Sequence, residues 1–112
     1  MTPFEIYAEA QDAAVAAAHA EDAKLGPENI RGLDCGFAWV VIKPARGAFV
    51  NYLKSIDVGS TRDYGGGGYS VWGSRLHDLQ TQSISVHYAA AKAFAAVLVK
   101  HGLNAYADQR LD

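Results

Sequence analysis

From Gly36 to Pro44 the chain reads Gly-Phe-Ala-Trp-Val-Val-Ile-Lys-Pro, and no other run restricts the fold so strongly. Phe37 to Ile42 is unbroken apolar, rich in β-branched and aromatic types, and too short for a helix of ordinary length. A strand built from it is apolar on both faces. Such a strand belongs in the middle of a sheet, and Pro44, which lacks an amide donor, ends it.

Helical periodicity brackets this strand. Thr2-Pro3-Phe4-Glu5 has the form of a capping box, with Thr2 at the N-cap, Pro3 at the first helical position and Glu5 reaching back. Phe4, Tyr7, Ala8, Ala14, Val15 and Ala18 then recur on one side, and Gly26-Pro27 predicts the stop. A short helix over 47–54 turns Phe49, Val50 and Leu53 inward. A second strand over 69–73 is short and suits an edge. A long helix over 85–101 takes Ser85 as N-cap, points Val86, Ala89, Ala90, Ala93, Phe94, Val97 and Leu98 at the core, and closes on Gly102-Leu103. Residues 104–108 form a third strand, and the polar end beyond it frays or continues that strand. The order is α-β-α-β-α-β, a small α+β fold with helices packed on a three-stranded sheet; its βαβ-like passages would be right-handed crossovers if the strands ran parallel.

The chain of 112 residues is one domain with one modest core, divided into an N-terminal helix and linker over 1–30 and a βαβαβ-like core over 31–112. Half the residues are hydrophobic and a fifth charged, which excludes a disordered chain. No apolar run is long enough to span a bilayer, and no basic-then-apolar segment opens the chain, so neither a membrane span nor a secretory signal is expected. Cys35 is the single cysteine, which fits a reducing, cytoplasmic setting.

Charge is uneven along the chain. Residues 1–30 set Lys24 against Glu5, Glu9, Asp12, Glu21, Asp22 and Glu28. Residues 31–75 set Arg31, Lys43, Arg46, Lys54, Arg62 and Arg75 against Asp34, Asp57 and Asp63. The basic excess suits an anionic ligand but is too thin for duplex DNA.

That basic segment contains Tyr64-Gly65-Gly66-Gly67-Gly68-Tyr69, inside an irregular connection over 56–68. Long connections in compact domains tend to be functional, and glycine runs imply mobility or close backbone approach. The run matches neither phosphate-loop pattern: no Lys-Ser/Thr follows Gly68, and Gly-x-G-x-x-Gly fails from Gly65 and from Gly66. What survives is an anion nest of backbone amides assisted by Arg62 and Arg75, with Tyr64, Tyr69 or Trp72 stacking on a planar group. Because side chains alternate along a strand, either Tyr69 or Trp72 faces the ligand while the other packs inward. The bland reading is a flexible hairpin. Of the other aromatics, Trp39 is expected in the core and Tyr88 lies on the last helix.

His19, His77, His87 and His101 have no spacing that a zinc site would use, so no metal is assigned. His87 is carried forward as a ligand donor near Gln82 and Ser83, against the blander reading of a capping histidine in the first helical turn. Cys35 adjoins Asp34 in place of an activating cation, which argues for a structural thiol. All four glutamates lie before residue 30 and read as a solvated face. Nothing specifies an enzyme or a cofactor; a small hydrolase using His87 or Cys35 is the third-ranked reading.

Several blocks considered together carry a resemblance: Gly36-Phe37-Ala38-Trp39-Val40, Tyr64-Gly65-Gly66-Gly67, Trp72, Thr81-Gln82-Ser83, Ala91-Lys92-Ala93-Phe94-Ala95 and Ala105-Tyr106-Ala107-Asp108-Gln109-Arg110-Leu111-Asp112. Over residues 35–112 the chain resembles a group of small proteins of tailed bacteriophages and prophages. The resemblance implies an accessory protein of the infected bacterial cytoplasm, of a kind that binds host proteins or nucleotide signals. The combined expectation is a non-enzymatic binder of a nucleotide-like ligand through Arg62, Tyr64, Gly66, Gly67, Gly68, Tyr69, Trp72, Arg75 and His87. The rival expectation is a protein–protein module acting on a host protein, or a homodimer formed through the thin alanine face of the first helix.

Overall fold

The computed structural model describes residues 1–25, 35–61 and 67–111. Its elements are α1 (Pro3–Leu25), β1 (Gly36–Lys43), α2 (Ala48–Ser55), β2 (Tyr69–Trp72), α3 (Ile84–Lys100) and β3 (Asn104–Leu111), with a 3-10 turn over Gly73–Arg75 after β2. The α+β order is the one the sequence predicts. The three strands form one sheet in the order β2-β1-β3, with β1 central. Both pairings are antiparallel, so the handedness rule for parallel crossovers has nothing to act on.

Local signals explain the helix ends. Thr2 N–H donates to Glu5 Oε1 at 2.9 Å and Glu5 N–H to Thr2 Oγ1 at 3.2 Å, the reciprocal pair of a capping box. The terminator Gly26-Pro27 lies outside the described residues. At the far end of α3, Leu103 N–H donates to Leu98 O at 3.0 Å and Gly102 N–H to Val99 O at 2.9 Å. With Gly102 at φ +87°, this is a Schellman ending. The N-cap of α3 is Ser83, whose hydroxyl accepts from Val86 N–H, not Ser85 two residues on. Serine fits either place, and the close approach of this loop to Gly36 selects the earlier one: Gly36 N–H donates to Gln82 O at 3.3 Å.

The core lies on one side of the sheet. Ala38, Val40 and Ile42 of β1, Tyr69 and Val71 of β2, and Ala105 of β3 join Phe49, Val50 and Leu53 of α2 and Val86, Ala90, Ala91, Phe94 and Leu98 of α3 in a single cluster. α3 is covered on two sides, by the sheet and by α1, which explains its near-continuous apolar sequence. The buried stripe of α1 is Ala10, Ala14 and Ala18, all fully enclosed. Phe4, expected on that stripe, is 62% exposed and meets Tyr52 edge-on at 6.3 Å. Alanine wins the contact because its side chain lets two helix backbones approach closely, whereas Phe4 in the first turn lies beyond the end of that contact. Across the seam, Glu9 bonds Lys100 Nζ and also His101 Nε2, the latter at 2.8 Å.

The thin α1–α3 seam should therefore not tolerate bulk. A14L is expected to destabilise the protein by about 1–3 kcal/mol in urea unfolding, through overpacking. A16L, at an exposed position of the same helix, should stay within about 0.5 kcal/mol of the wild type. Equal midpoints for the two variants would refute close packing at Ala14.

Candidate functional site

Alternation along the strands places a second set of side chains on the sheet face away from the core. From β1 these are Phe37, Trp39, Val41 and Lys43; register adds Ser70 and Trp72 from β2 and Asn104, Tyr106, Asp108 and Arg110 from β3. Trp39 stands opposite Trp72 on one side and Asp108 on the other, Val41 opposite Ser70 and Tyr106, and Phe37 opposite Arg110. Trp72 is the hub of the row. Its ring centroid is 5.8 Å from that of Phe37 at 57° and 5.8 Å from that of Trp39 at 75°. These tilted and edge-on geometries suit the aromatic quadrupole.

Cations sit at both ends of the row. Lys43 Nζ lies 5.6 Å from the centre of the Tyr106 ring, and Arg110 Cζ lies 6.0 Å from the centre of Phe37. Trp39 is only 7% exposed, but Phe37 is 42% and Tyr106 39% exposed, so the two ends of the row reach solvent. A cleft of about 180 Å³ opens beside Phe37 and Trp72, bounded by Gly36, Ala38, Ser74, Gln82 and His87. It occupies the space left where β2 ends at Trp72 while β1 still extends back to Gly36.

The predicted site is divided by this arrangement. Arg62, Tyr64 and Gly66 lie outside the described residues. Gly67 and Gly68 have φ of +69° and +89°, in the left-handed region that glycine enters freely. A Cβ on Gly68 would come within 2.6 Å of Ile42 O and 2.9 Å of Lys43 Cγ. Close backbone approach is thus real at Gly68, and its partner is the end of β1. Tyr69 is 2% exposed, and its hydroxyl donates to the Val58 carbonyl, so its ring belongs to the core and is unavailable for stacking. Strand alternation then turns Trp72 outward. Arg75 points to the helical side, where Nη2 donates to the Asp57 carbonyl at 3.4 Å, so it does not join Trp72.

His87 is buried and its ring nitrogens are engaged internally, so it forms a wall of the cleft and is not a free ligand donor. Its Nε2 lies 3.1 Å from the Thr81 carbonyl, an acceptor only, which places a proton on that nitrogen. His87 Nδ1 then accepts from His77 Nε2 at 2.9 Å, and His77 Nδ1 accepts from Leu79 N–H at 3.1 Å. One pair of neutral tautomers satisfies the whole chain of bonds. A further proton on either ring would set donor against donor. Burial, then the neighbouring His87, holds His77 below its ordinary value of 6.5, with Asp78 pulling the other way. Asp78 is itself held low, first by its hydrogen bond to His19 at 2.7 Å.

Sequence reasoning missed Phe37, Lys43, Tyr106 and Arg110 as members of this face. The available signal was period-two alternation: Asn104, Tyr106, Asp108 and Arg110 are large or polar, while Ala105 and Ala107 between them are small. Cys35 is half-buried, with Sγ 3.6 Å from Gln82 Oε1. Among the described residues no three metal-ligating side chains converge, and no helix is long and apolar enough to cross a membrane. No family model, curated protein or solved structure matches this chain.

The histidine chain has a consequence for stability. The folded protein binds the His77 proton more weakly than the unfolded chain does, so this contribution is complete above about pH 6.5 and is lost as pH falls below it. Between about pH 7.5 and 5.5 the urea midpoint should fall more steeply in the wild type than in H77N, which lacks the titrating group. Parallel pH profiles for the two proteins would rule out this role.

Proposed function

We propose that this chain is a non-enzymatic binding protein for a planar, anionic ligand of the nucleotide type. The ligand is received on the sheet face that carries Phe37, Trp72, Tyr106, Lys43 and Arg110. The supporting observation is the pairing of solvent-reaching aromatic rings with a cation beside each end of the row. Aromatic rings stack on a base irrespective of its identity, and cations answer its phosphate. The glycine run keeps a supporting part in this reading. Gly68 brings the chain down onto the Val41–Lys43 end of β1, where a Cβ on it would meet Ile42 O and Lys43 Cγ.

A catalytic role has less support. His87 spends its ring nitrogens inside the protein, on the Thr81 carbonyl and on His77. In the setting implied by the bacteriophage resemblance, such a protein would sequester or sense a nucleotide-type molecule in the host cytoplasm.

Titrating the intrinsic fluorescence of Trp39 and Trp72 with a nucleoside monophosphate tests this reading. Quenching should saturate, and W72A should weaken binding by about 1–3 kcal/mol, the usual worth of one stacked base. R110A should weaken it as well, while K92A, exposed on the far side of α3, should leave it unchanged. An unquenched signal at millimolar ligand, or equal losses in R110A and K92A, would count against this face.

A further inference from the structure

We infer, building on the aromatic-face reading above, that the ligand is a short single-stranded nucleic acid laid along β1, not a free nucleotide. The length of the face and the order of its charges both favour a strand. Lys43 and the Phe37–Arg110 pair are separated by six positions of β1, which at about 3.3 Å per residue is about 20 Å. A stacked strand advances about 3.4 Å per nucleotide, so this span holds at most about six nucleotides. The three rings that reach toward solvent, Phe37, Trp72 and Tyr106, accept one base each and set a lower size of about three.

The charge order points the same way. Asp108 stands mid-row opposite Trp39, while Lys43 and Arg110 stand toward the ends. A phosphate is disfavoured at the middle, beside the Asp108 carboxylate, and favoured at both ends, beside Lys43 and Arg110. One nucleotide cannot use both cations, whereas a strand with its bases on the rings and its phosphates at the ends uses both. Among the described residues neither Lys43 nor Arg110 is held in an ion pair. Arg110 is exposed and Lys43 half-buried, so phosphates can replace counterions at both. A duplex is excluded by shape, since its bases are stacked inside and cannot lie on a sheet.

The test is a fluorescence titration with thymidine monophosphate, with oligothymidylates of increasing length up to about ten nucleotides, and with a duplex of the same length. Affinity is expected to rise about tenfold or more between the mononucleotide and a strand of about four, then to level beyond about six. The slope of log K against log salt should be about −1.4 for two phosphate contacts, and it should approach zero in the K43A/R110A double variant. F37A should weaken the strand by about tenfold. Circular dichroism of each variant establishes that its fold is retained. A mononucleotide that binds as tightly as the longer strands would overturn the strand inference and leave the nucleotide reading standing. Silence toward both would overturn the two together. Tight strand binding with an unchanged salt slope in K43A/R110A would remove the ligand from this face.

Discussion

The structure depends on the burial of β1 from both sides. Hydrogen-bonded to β2 and β3 at its edges, this strand sends Ala38, Val40 and Ile42 into the helical layer and Trp39 and Val41 into the opposite face. Each of its two faces determines one half of the molecule. On the first, small and β-branched side chains let α3 lie close to the sheet, and α3 in turn receives the alanine stripe of α1. On the second, large side chains extend past the backbone and meet Trp72 and Tyr106 from the flanking strands. A polar residue at Val40 or Trp39 would leave an unsatisfied group in one layer or the other, at a cost of a few kcal/mol.

The two faces differ in what they require of their neighbours. The helical face is a close-packed core whose residues are chosen by volume, and its members are nearly all small or aliphatic. The opposite face combines aromatic rings, two cations and one carboxylate in a row, and its ends reach solvent. Core packing offers no reason for Lys43 and Arg110 to sit beside aromatic rings. Recognition of a planar anion does offer one, since the rings supply contact area and the cations supply charge in positions already held by the sheet. The cleft beside Phe37 and Trp72 extends this surface toward Gln82, against a wall braced by the His77–His87 bond.

At the glycine run, the close backbone approach expected from the sequence is met within the protein itself at Gly68. Consecutive glycines do mark close backbone approach, and Gly68 makes one, against the carbonyl of Ile42. Tyr69 and Trp72 likewise divide between inside and outside as strand alternation requires. Which of them faces inward depends on register with β1, a matter of contacts distant in sequence. His77 and His87 meet across ten residues because the turn at Gly73–Arg75 folds the loop back over the first turn of α3. No spacing rule anticipates that contact.

By itself the sequence determined the elements and their order: the capping box, the Schellman ending and the doubly apolar strand are local consequences of side-chain shape and backbone freedom. It also determined that β1 would be central, because a strand without a polar face has no other stable place. Only the tertiary structure decided that the strands run antiparallel in the order β2-β1-β3, and hence that Phe37, Trp72, Tyr106, Lys43 and Arg110 share one face. The reason is one of range. Propensities and caps act within a few residues, whereas a surface assembled from three strands exists only after their register is set.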